Sequence, residues 1–350
     1  MNLKNRVQSF WNYFKSIQND FERALRNQDN DLIDEYLHTC NERLKTISGC
    51  KMEVEVTDNG FFELTFDAQD RKNAQYICAL LKKDAPETCI DNWIINSYRQ
   101  PLGTKAYHTV LQVNGRQFKG SDFTIYYDID EVNKCIPIKV YCDGFASLDE
   151  VKKQEITIYM LALFIGELEL EARIGQIEIV DEPLEEENVC LLPNFYEDIC
   201  DIIINMDWVE YHDPTQIYMA YKLHENIQTE SLRKDMKLIM TTHCLLQEEL
   251  LNNEFGCCQE MKEKGAEYGY IYYEPKQEKE QIARTRQQLE KELQELLYPV
   301  SIGRTIGGAI GTKYAYIDLL IFDKDIFMIV LKRLQEELPF DIYYKSFLPE

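Results

Sequence analysis

Residues 301–323 read SIGRTIGGAIGTKYAYIDLLIFD, a glycine-rich segment that leads into an apolar strand with one carboxylate, Asp318. Glycine lets a backbone approach another backbone or a ligand closely, because it has no Cβ atom. The glycine-rich stretch 303–311 is predicted to be a loop, and the strand after it is predicted to span 314–322. This region is therefore the first place to look for a binding site.

The candidate ligand site in this region consists of Gly307, Gly308, Gly311, Lys313 and Asp318. A phosphate-binding loop requires a lysine directly after the last glycine and a helix after the loop. Here Thr312 separates the glycine from the lysine, and a strand follows. The segment therefore does not predict a nucleotide site, and we expect no cofactor.

Asp318 shares one face of its predicted strand with tyrosines, because alternate side chains point to the same side. The opposite face is fully apolar and is the better core face: Ala315, Ile317, Leu319 and Ile321. Two interpretations of Asp318 stay open. It is an acid or base in a cleft beside tyrosines, or a carboxylate hydrogen-bonded to a tyrosine or an arginine, and we favour the second.

Working outward, helical and strand patterns alternate along the chain, which predicts an α+β fold. Hydrophobic spacing indicates that residues 8–48 are helical and that a second helix within this range spans 31–47. It also indicates helices at 71–83, 149–165, 232–251 and 276–297. KMEVEV and FFELTF, joined by a turn, predict a hairpin. We expect two sheet-and-helix domains, 49–183 and 189–350, with a helical N-terminal segment, 1–48, that packs on the first. The charged stretch DEPLEEEN, residues 181–188, is the predicted linker.

The charge of the chain is strongly negative, with 61 acidic and 38 basic side chains among 350 residues and a net charge of -23. Such a surface repels nucleic acid and anionic lipid. It favours a basic protein partner or simply solubility, and of these two interpretations of the charge we favour the well-solvated surface. No apolar run reaches the length of about 18 residues that a membrane span requires. We therefore expect neither nucleic-acid nor membrane binding, and the sequence leaves the oligomeric state open.

The eleven cysteines form no CxxC pair, and the N-terminus has no apolar run of the signal-peptide type. These features predict a cytoplasmic protein with reduced thiols. The candidate metal ligands considered are His243–Cys244, followed by Cys257–Cys258, and the adjacent pairs His212–Asp213 and His224–Glu225. Adjacent residues chelate zinc poorly, so no metal site is predicted. No catalytic motif such as GxSxG occurs, and no catalytic residue is assigned.

Three blocks of the sequence resemble a known group of proteins. They are FELTFDAQDRKNAQYICALLKKDAP (62–86) followed by NWIINSYRQP (92–101), IGELELEARIGQIEIVDEP (165–183), and GGAIGTKYAYIDLLIFD (307–323) with YYKSF (343–347). In this order they resemble uncharacterised bacterial proteins of the domain-of-unknown-function 695 type. The resemblance covers about half of the chain and implies kinship, but it carries no active-site residue.

Together these features predict a non-catalytic acidic protein that binds another protein. An immunity-like role, the neutralisation of a basic toxin, would suit the charge. The alternative is an enzyme or small-ligand binder with a pocket near the glycine-rich 303–311 loop and Asp318. Charge concentrated beside exposed aromatic side chains would favour the first function, and a deep pocket at Asp318 would favour the second.

Overall fold

The computed structural model describes residues 1–57, 59–113, 115–146, 148–223, 233–276 and 279–349. Helices and several sheets occur in these ranges, so the α+β prediction is confirmed. The helices described are α1 Leu3–Asn27, α2 Asn30–Ile47, α3 Lys72–Lys83, α4 Glu87–Ile90, α5 Glu150–Arg173, α6 Leu192–Asn205, α7 Cys244–Leu251, α8 Gly256–Glu263, α9 Lys279–Leu297 and α10 Lys324–Glu337. The strands described are β1 Lys51–Val56, β2 Phe62–Asp67, β3 Trp93–Asn96, β4 Val110–Val113, β5 Arg116–Lys119, β6 Phe123–Tyr127, β7 Ile136–Cys142, β8 Ile174–Val180, β9 Val189–Leu191, β10 Met219–Lys222, β11 Met236–Thr241, β12 Glu267–Tyr273, β13 Gly303–Gly311, β14 Ala315–Ile321 and β15 Tyr343–Ser346.

The chain forms two compact units, and their composition differs from the predicted domains. The first unit combines Met1–Ser97 with Ile217–Glu350, and the second is Tyr98–Gln216. The acidic stretch 181–188 is not a linker between units, because it lies within the second unit. Three contacts hold it there: Lys153 Nζ to Asp181 Oδ1 at 2.9 Å, Leu184 N to Tyr126 Oη at 3.0 Å, and Lys139 Nζ to Glu186 Oε1 at 2.6 Å.

The N-terminal helices of the first unit bury an apolar stripe against a small sheet. Phe10, Phe14 and Phe21 of α1 recur at helical spacing and are almost fully buried. The Phe14 ring lies 5.2 Å from the Trp93 ring of β3. In the sheet β1 pairs antiparallel with β2, as the hairpin pattern predicts, and β3 joins β2 in parallel.

A six-stranded antiparallel sheet forms the centre of the first unit, in the order β10-β11-β13-β14-β12-β15. Tyr316 and Leu320 of β14 lie in a core cluster that also includes Leu246 of α7. Ile317 of β14 lies in a second cluster with Leu293 of α9. Since both faces of the sheet are covered, β14 is buried along its whole length.

Two sequence predictions are wrong around this sheet. The stretch 303–311 is the strand β13 and not a loop, because it pairs with β11 on one side and β14 on the other. The predicted helix 232–251 comprises strand β11 followed by α7, with residue 232 outside the described part of the chain. Pairing with two neighbouring strands satisfies the backbone of β11, which local apolar spacing does not reveal.

The second unit contains a four-stranded sheet, in the order β8-β7-β6-β9, packed against α5 and α6. Asp149 caps α5 by accepting a hydrogen bond from the Lys152 amide at 3.0 Å. The helix was predicted to end near residue 165, and the helical backbone is indeed interrupted at Gly166, which has φ of 80°. A further helical segment then continues to Arg173, and strand β8 begins at the next residue.

The cysteines and the helix lengths give two further facts. All eleven cysteines lie in the described ranges, and none of them forms a disulfide bond. Among the helices of the described residues, none combines the length and the apolar character needed to cross a membrane.

Candidate functional site

The glycines of β13 are points of close backbone packing in the middle of the six-stranded sheet. Gly307 has φ of +126°, a conformation that favours glycine, and it follows a bulge in the strand. A Cβ atom on Gly307 would overlap the carbonyl oxygen of Met240, and one on Gly308 would overlap that of Tyr316. These two candidate residues therefore face protein backbone at their Cβ positions.

Gly311 and Lys313 lie at the turn after β13, which a carboxylate organises. Asp235 Oδ2 accepts hydrogen bonds from the amides of Lys313 and Tyr314, each at 2.9 Å. A Cβ atom on Gly311 would overlap this carboxylate. The Lys313 ammonium lies 4.8 Å from the centroid of the Tyr314 ring. Gly311 and Lys313 are therefore part of the turn in which the chain passes from β13 into β14.

Asp318 is completely buried and belongs to a closed ring of three hydrogen bonds. Arg233 Nη1 donates to Asp318 Oδ1 at 2.6 Å, and Gln247 Nε2 donates to Asp318 Oδ2 at 2.8 Å. Arg233 Nη2 closes the ring by donating to Gln247 Oε1 at 2.8 Å. The guanidinium also lies 5.4 Å from the ring of Tyr270. This buried, fully paired arrangement is typical of a structural ion pair.

The position of Asp318 decides between the two interpretations of this carboxylate. Its face does carry tyrosines, but that face is covered by α7 and is not a cleft. Its partner is an arginine, as in the interpretation favoured from the sequence. Neither Arg233 nor Gln247 belongs to a motif, and they come together only because β11 and α7 bring distant segments to β14.

The opposite face of β13 contributes to a cavity of about 400 Å³ beside α9. Glu290 Oε2 pairs with Arg286 Nη2 at 2.9 Å, and Glu290 Oε1 accepts from Tyr218 Oη at 3.0 Å. Gln294 Oε1 accepts from the Thr305 amide of β13 at 2.8 Å. Glu290, Tyr218, Gln294 and Thr305 all line the cavity, whereas Asp318 does not.

The pair Arg286–Glu290 lies on a buried face of α9. Oppositely charged residues four apart often mark the exposed face of a helix, but these two residues are only 1% and 8% exposed. Burial raises the pKa of the Glu290 carboxyl, while the Arg286 charge opposes the shift. A carboxyl with a raised pKa beside a cavity can hold or exchange a proton with a ligand.

His243 is a second buried polar centre, and both of its ring nitrogens are occupied. Nδ1 accepts from the Leu246 amide at 3.2 Å, so the proton is assigned to Nε2, which donates to Asn73 Oδ1 at 3.0 Å. Tyr268 Oη donates to the same oxygen at 2.7 Å. Burial, with a smaller effect of the Lys72 charge, lowers the pKa of His243 to about 3.

We expect His243 to make folding stability depend on pH. The unfolded chain protonates this histidine near its ordinary pKa of about 6.5, whereas the folded protein does so only near pH 3. Its contribution is therefore intact above pH 6.5 and is lost progressively as the pH falls toward 3. Between pH 7 and 5 the loss is about 2 kcal/mol.

The measurement is urea denaturation of the wild type and of His243→Asn at pH 7 and pH 5. Asparagine keeps a hydrogen-bond acceptor for the Leu246 amide at the start of α7, but its side chain does not titrate. The stability difference between the two proteins should shrink by about 2 kcal/mol at the lower pH. A difference that stays constant would show that His243 is not held neutral.

The histidine and cysteine pairs considered as metal ligands do not form a metal centre in the described ranges. No group of three or more His, Cys, Asp or Glu side chains in those ranges is placed to hold an ion. Burial raises the pKa of Cys258 to about 12, which disfavours the thiolate that a metal requires. The pair His224–Glu225 lies outside the described residues.

Comparison with known proteins adds no further constraint: no family model, curated protein or solved structure matches the chain. The resemblance to proteins of the domain-of-unknown-function 695 type stays a prediction.

Proposed function

We propose that the protein is non-catalytic and binds a basic protein partner through its second unit. The distribution of charge carries this proposal. Tyr98–Gln216 contains 23 acidic and 9 basic side chains, a net charge of -14, whereas the rest of the chain contains 38 and 29, a net charge of -9. About a third of the residues thus bears most of the excess negative charge. The electrostatic field of this charge attracts a basic partner and repels an acidic one.

An exposed apolar stripe on α5 supplies the contact area that charge alone does not. Val151, Ile158 and Tyr159 are 64%, 45% and 43% exposed. Their spacing of seven and eight residues places them along one side of the helix, where the exposed Glu155 lies between them. An apolar centre with a charged border is the usual composition of a protein interface.

A pull-down with the full chain from cells that express it tests this function. We expect a captured protein with a basic isoelectric point, whose binding weakens as salt rises from 50 to 300 mM. The double variant Ile158→Ala, Tyr159→Ala should reduce its capture about tenfold or more, because buried interface aromatics dominate binding. Val132→Ala, which changes a side chain that is 90% exposed elsewhere in the same unit, is the matched control.

An acidic partner, or equal capture by the double variant and the wild type, would contradict the proposal. A captured basic protein that is toxic when expressed alone would support the more specific immunity-like role. A cytoplasmic location belongs to the same proposal and is tested by fractionation of the same cells.

A second candidate function, small-ligand binding, is favoured by the cavity beside β13. Its buried carboxyl, Glu290, and the hydroxyl of Tyr218 are polar groups that a small ligand could contact. Thermal melting with ATP or NAD distinguishes this candidate from the first. A ligand-induced rise in the melting temperature that is lost in Glu290→Gln would favour it over partner binding.

A further inference from the structure

Strand β8, Ile174–Val180, lies at one edge of the four-stranded sheet of the second unit. It pairs with β7 on its inner side, with a regular register from Ile177 to Val180. On its outer side no hydrogen bond joins its backbone to another of the described residues. None of its residues is buried, whereas every second residue of β7 is. The outer edge of β8 therefore presents backbone N–H and C=O groups that another strand could pair with.

The other sheet edges of the described chain are protected in ways that β8 is not. Folded proteins usually protect an edge strand with a lysine or a proline, or by keeping the strand very short. Strands β1, β5, β10 and β15 each contain a lysine, and β3, β4 and β9 have four residues or fewer. Strand β8 has seven residues, IGQIEIV, without lysine, arginine or proline. It is thus the longest edge strand in the described ranges, and it lacks this protection.

The core face of β8 is apolar and only partly covered. Ile177 and Ile179 are paired in register with Ile138 and Val140 of β7, which are buried in the core of the second unit. The two isoleucines pack against the same core but are only partly buried. A strand added beside β8 would cover them, and apolar side chains on this face of the added strand would extend the core.

The opposite face of β8 is acidic. Glu178 is exposed there, and its partner in register is Lys139 of β7. The Lys139 ammonium already pairs with Glu186 Oε1 at 2.6 Å. This hydrogen bond raises the pKa of Lys139, and so does the charge of Glu178. An added strand would therefore be favoured if it carried basic side chains on this face.

The end of β8 adjoins the helix of the proposed partner-binding surface. Val180 is followed directly by Asp181, whose Oδ1 lies 2.9 Å from Lys153 Nζ of α5. Lys153 comes two residues after Val151, the first residue of the exposed apolar stripe. The end of the strand and the start of the stripe are therefore neighbours.

We propose that the outer edge of β8 accepts an extended segment of a protein partner, with alternating basic and apolar residues, as a fifth strand of this sheet. Backbone hydrogen bonds contribute affinity to such strand addition, and the alternate side chains contribute specificity. The inference rests on the proposed function, because it names the part of the basic partner that docks here. A second copy of the chain is disfavoured, since each copy would bring Glu178 and a second unit with a net charge of -14.

A labelled seven-residue peptide of alternating lysine and valine is the probe, and its binding to the full chain is followed by fluorescence anisotropy in about 150 mM salt. We expect saturable binding and slower amide hydrogen exchange over Ile174–Val180 in the bound protein. The same peptide with all its backbone amides N-methylated keeps the charge and the side chains but donates no backbone hydrogen bond. It should bind at least about tenfold more weakly.

Glu178→Lys should weaken binding of the unmodified peptide about fivefold or more, because it replaces an opposite charge by a like charge across the new strand pair. Glu197→Lys makes the same change of charge at an exposed residue of α6 and is the matched control. The control should bind the peptide within about twofold of the wild type, which separates an effect at the edge from an effect of net charge.

Three results would each overturn strand addition: no saturable binding, equal binding of the N-methylated peptide, or unchanged exchange over β8. Equal weakening by Glu178→Lys and Glu197→Lys would overturn it too. The proposed function would still stand after such a result if capture of a basic protein depended on Ile158 and Tyr159. Peptide pairing at β8 without capture of any basic protein would support the strand-accepting edge and count against the proposed function.

Discussion

Replacing Asp318 by asparagine is expected to lower the free energy of unfolding by about 3–5 kcal/mol. The amide keeps the shape of the carboxylate but leaves the Arg233 guanidinium, which is 3% exposed, buried without a counter-charge. Removing one member of a buried ion pair costs far more than the pair itself contributes, because an isolated charge is poorly solvated inside a protein. Denaturation with urea at pH 7 measures the loss.

An exposed ion pair provides the matched control for this substitution. Asp20 pairs with Arg23 at 2.8 Å on the surface of α1, where the two side chains are 61% and 71% exposed. Asp20→Asn should change stability by less than about 1 kcal/mol. A similar small cost for Asp318→Asn would contradict the buried ion pair. Replacing Asp318, Arg233 and Gln247 together by apolar residues should recover part of the loss, since no charge is then left unpaired.

Replacing Gly307 by alanine is expected to lower the free energy of unfolding by about 2–6 kcal/mol. The backbone conformation at φ of +126° adds roughly 1–3 kcal/mol of strain for a residue with a side chain. The new methyl group would also overlap the Met240 carbonyl, and overpacking of this kind costs about 1–3 kcal/mol more. Thermal and urea denaturation both measure the effect.

Gly60→Ala separates the two contributions. Gly60 also has positive φ, +79°, but no described atom lies within 4 Å of its Cβ position. This variant should therefore show the backbone strain without the overlap and should be the more stable of the two. If Gly307→Ala cost no more than Gly60→Ala, the glycines of β13 would not be sites of close packing.

The sequence predicts those helices and strands whose characteristic residue pattern lies within one short segment of the chain. The alternation in β1 and β2 and the turn between them contain the whole signal for a hairpin. The stripe of α1, with Phe10, Phe14 and Phe21, is likewise complete within one helix. The resulting α+β class was therefore predictable.

Pairing between distant segments is what the sequence does not reveal. Glycines such as Gly307 are disfavoured in strands by their local preference, and only the two neighbouring strands make 303–311 a strand. The apolar residues of β11 fit a helix as well as a strand over so short a range. The first unit joins both ends of the chain, so its boundary has no local signature.

For the candidate site too, contacts between distant segments could not be predicted from the sequence. Asp318 and the glycines were identifiable because they stand out within one segment, but Arg233, Gln247 and the buried pair Arg286–Glu290 were not. Helical pairs four residues apart occur on exposed and buried faces alike, and sequence spacing does not distinguish them. The cavity beside α9 follows from this tertiary packing.

Hydrogen–deuterium exchange of the full chain, free and bound to the captured basic protein, tests the central claim most directly. The partner should slow exchange over residues 150–159 of α5, where the exposed apolar stripe and the acidic side chains coincide. Exchange over 286–295 of α9, beside the cavity, should be unchanged. Protection confined to α9 and β13, or no protection in Tyr98–Gln216, would contradict partner binding through the second unit.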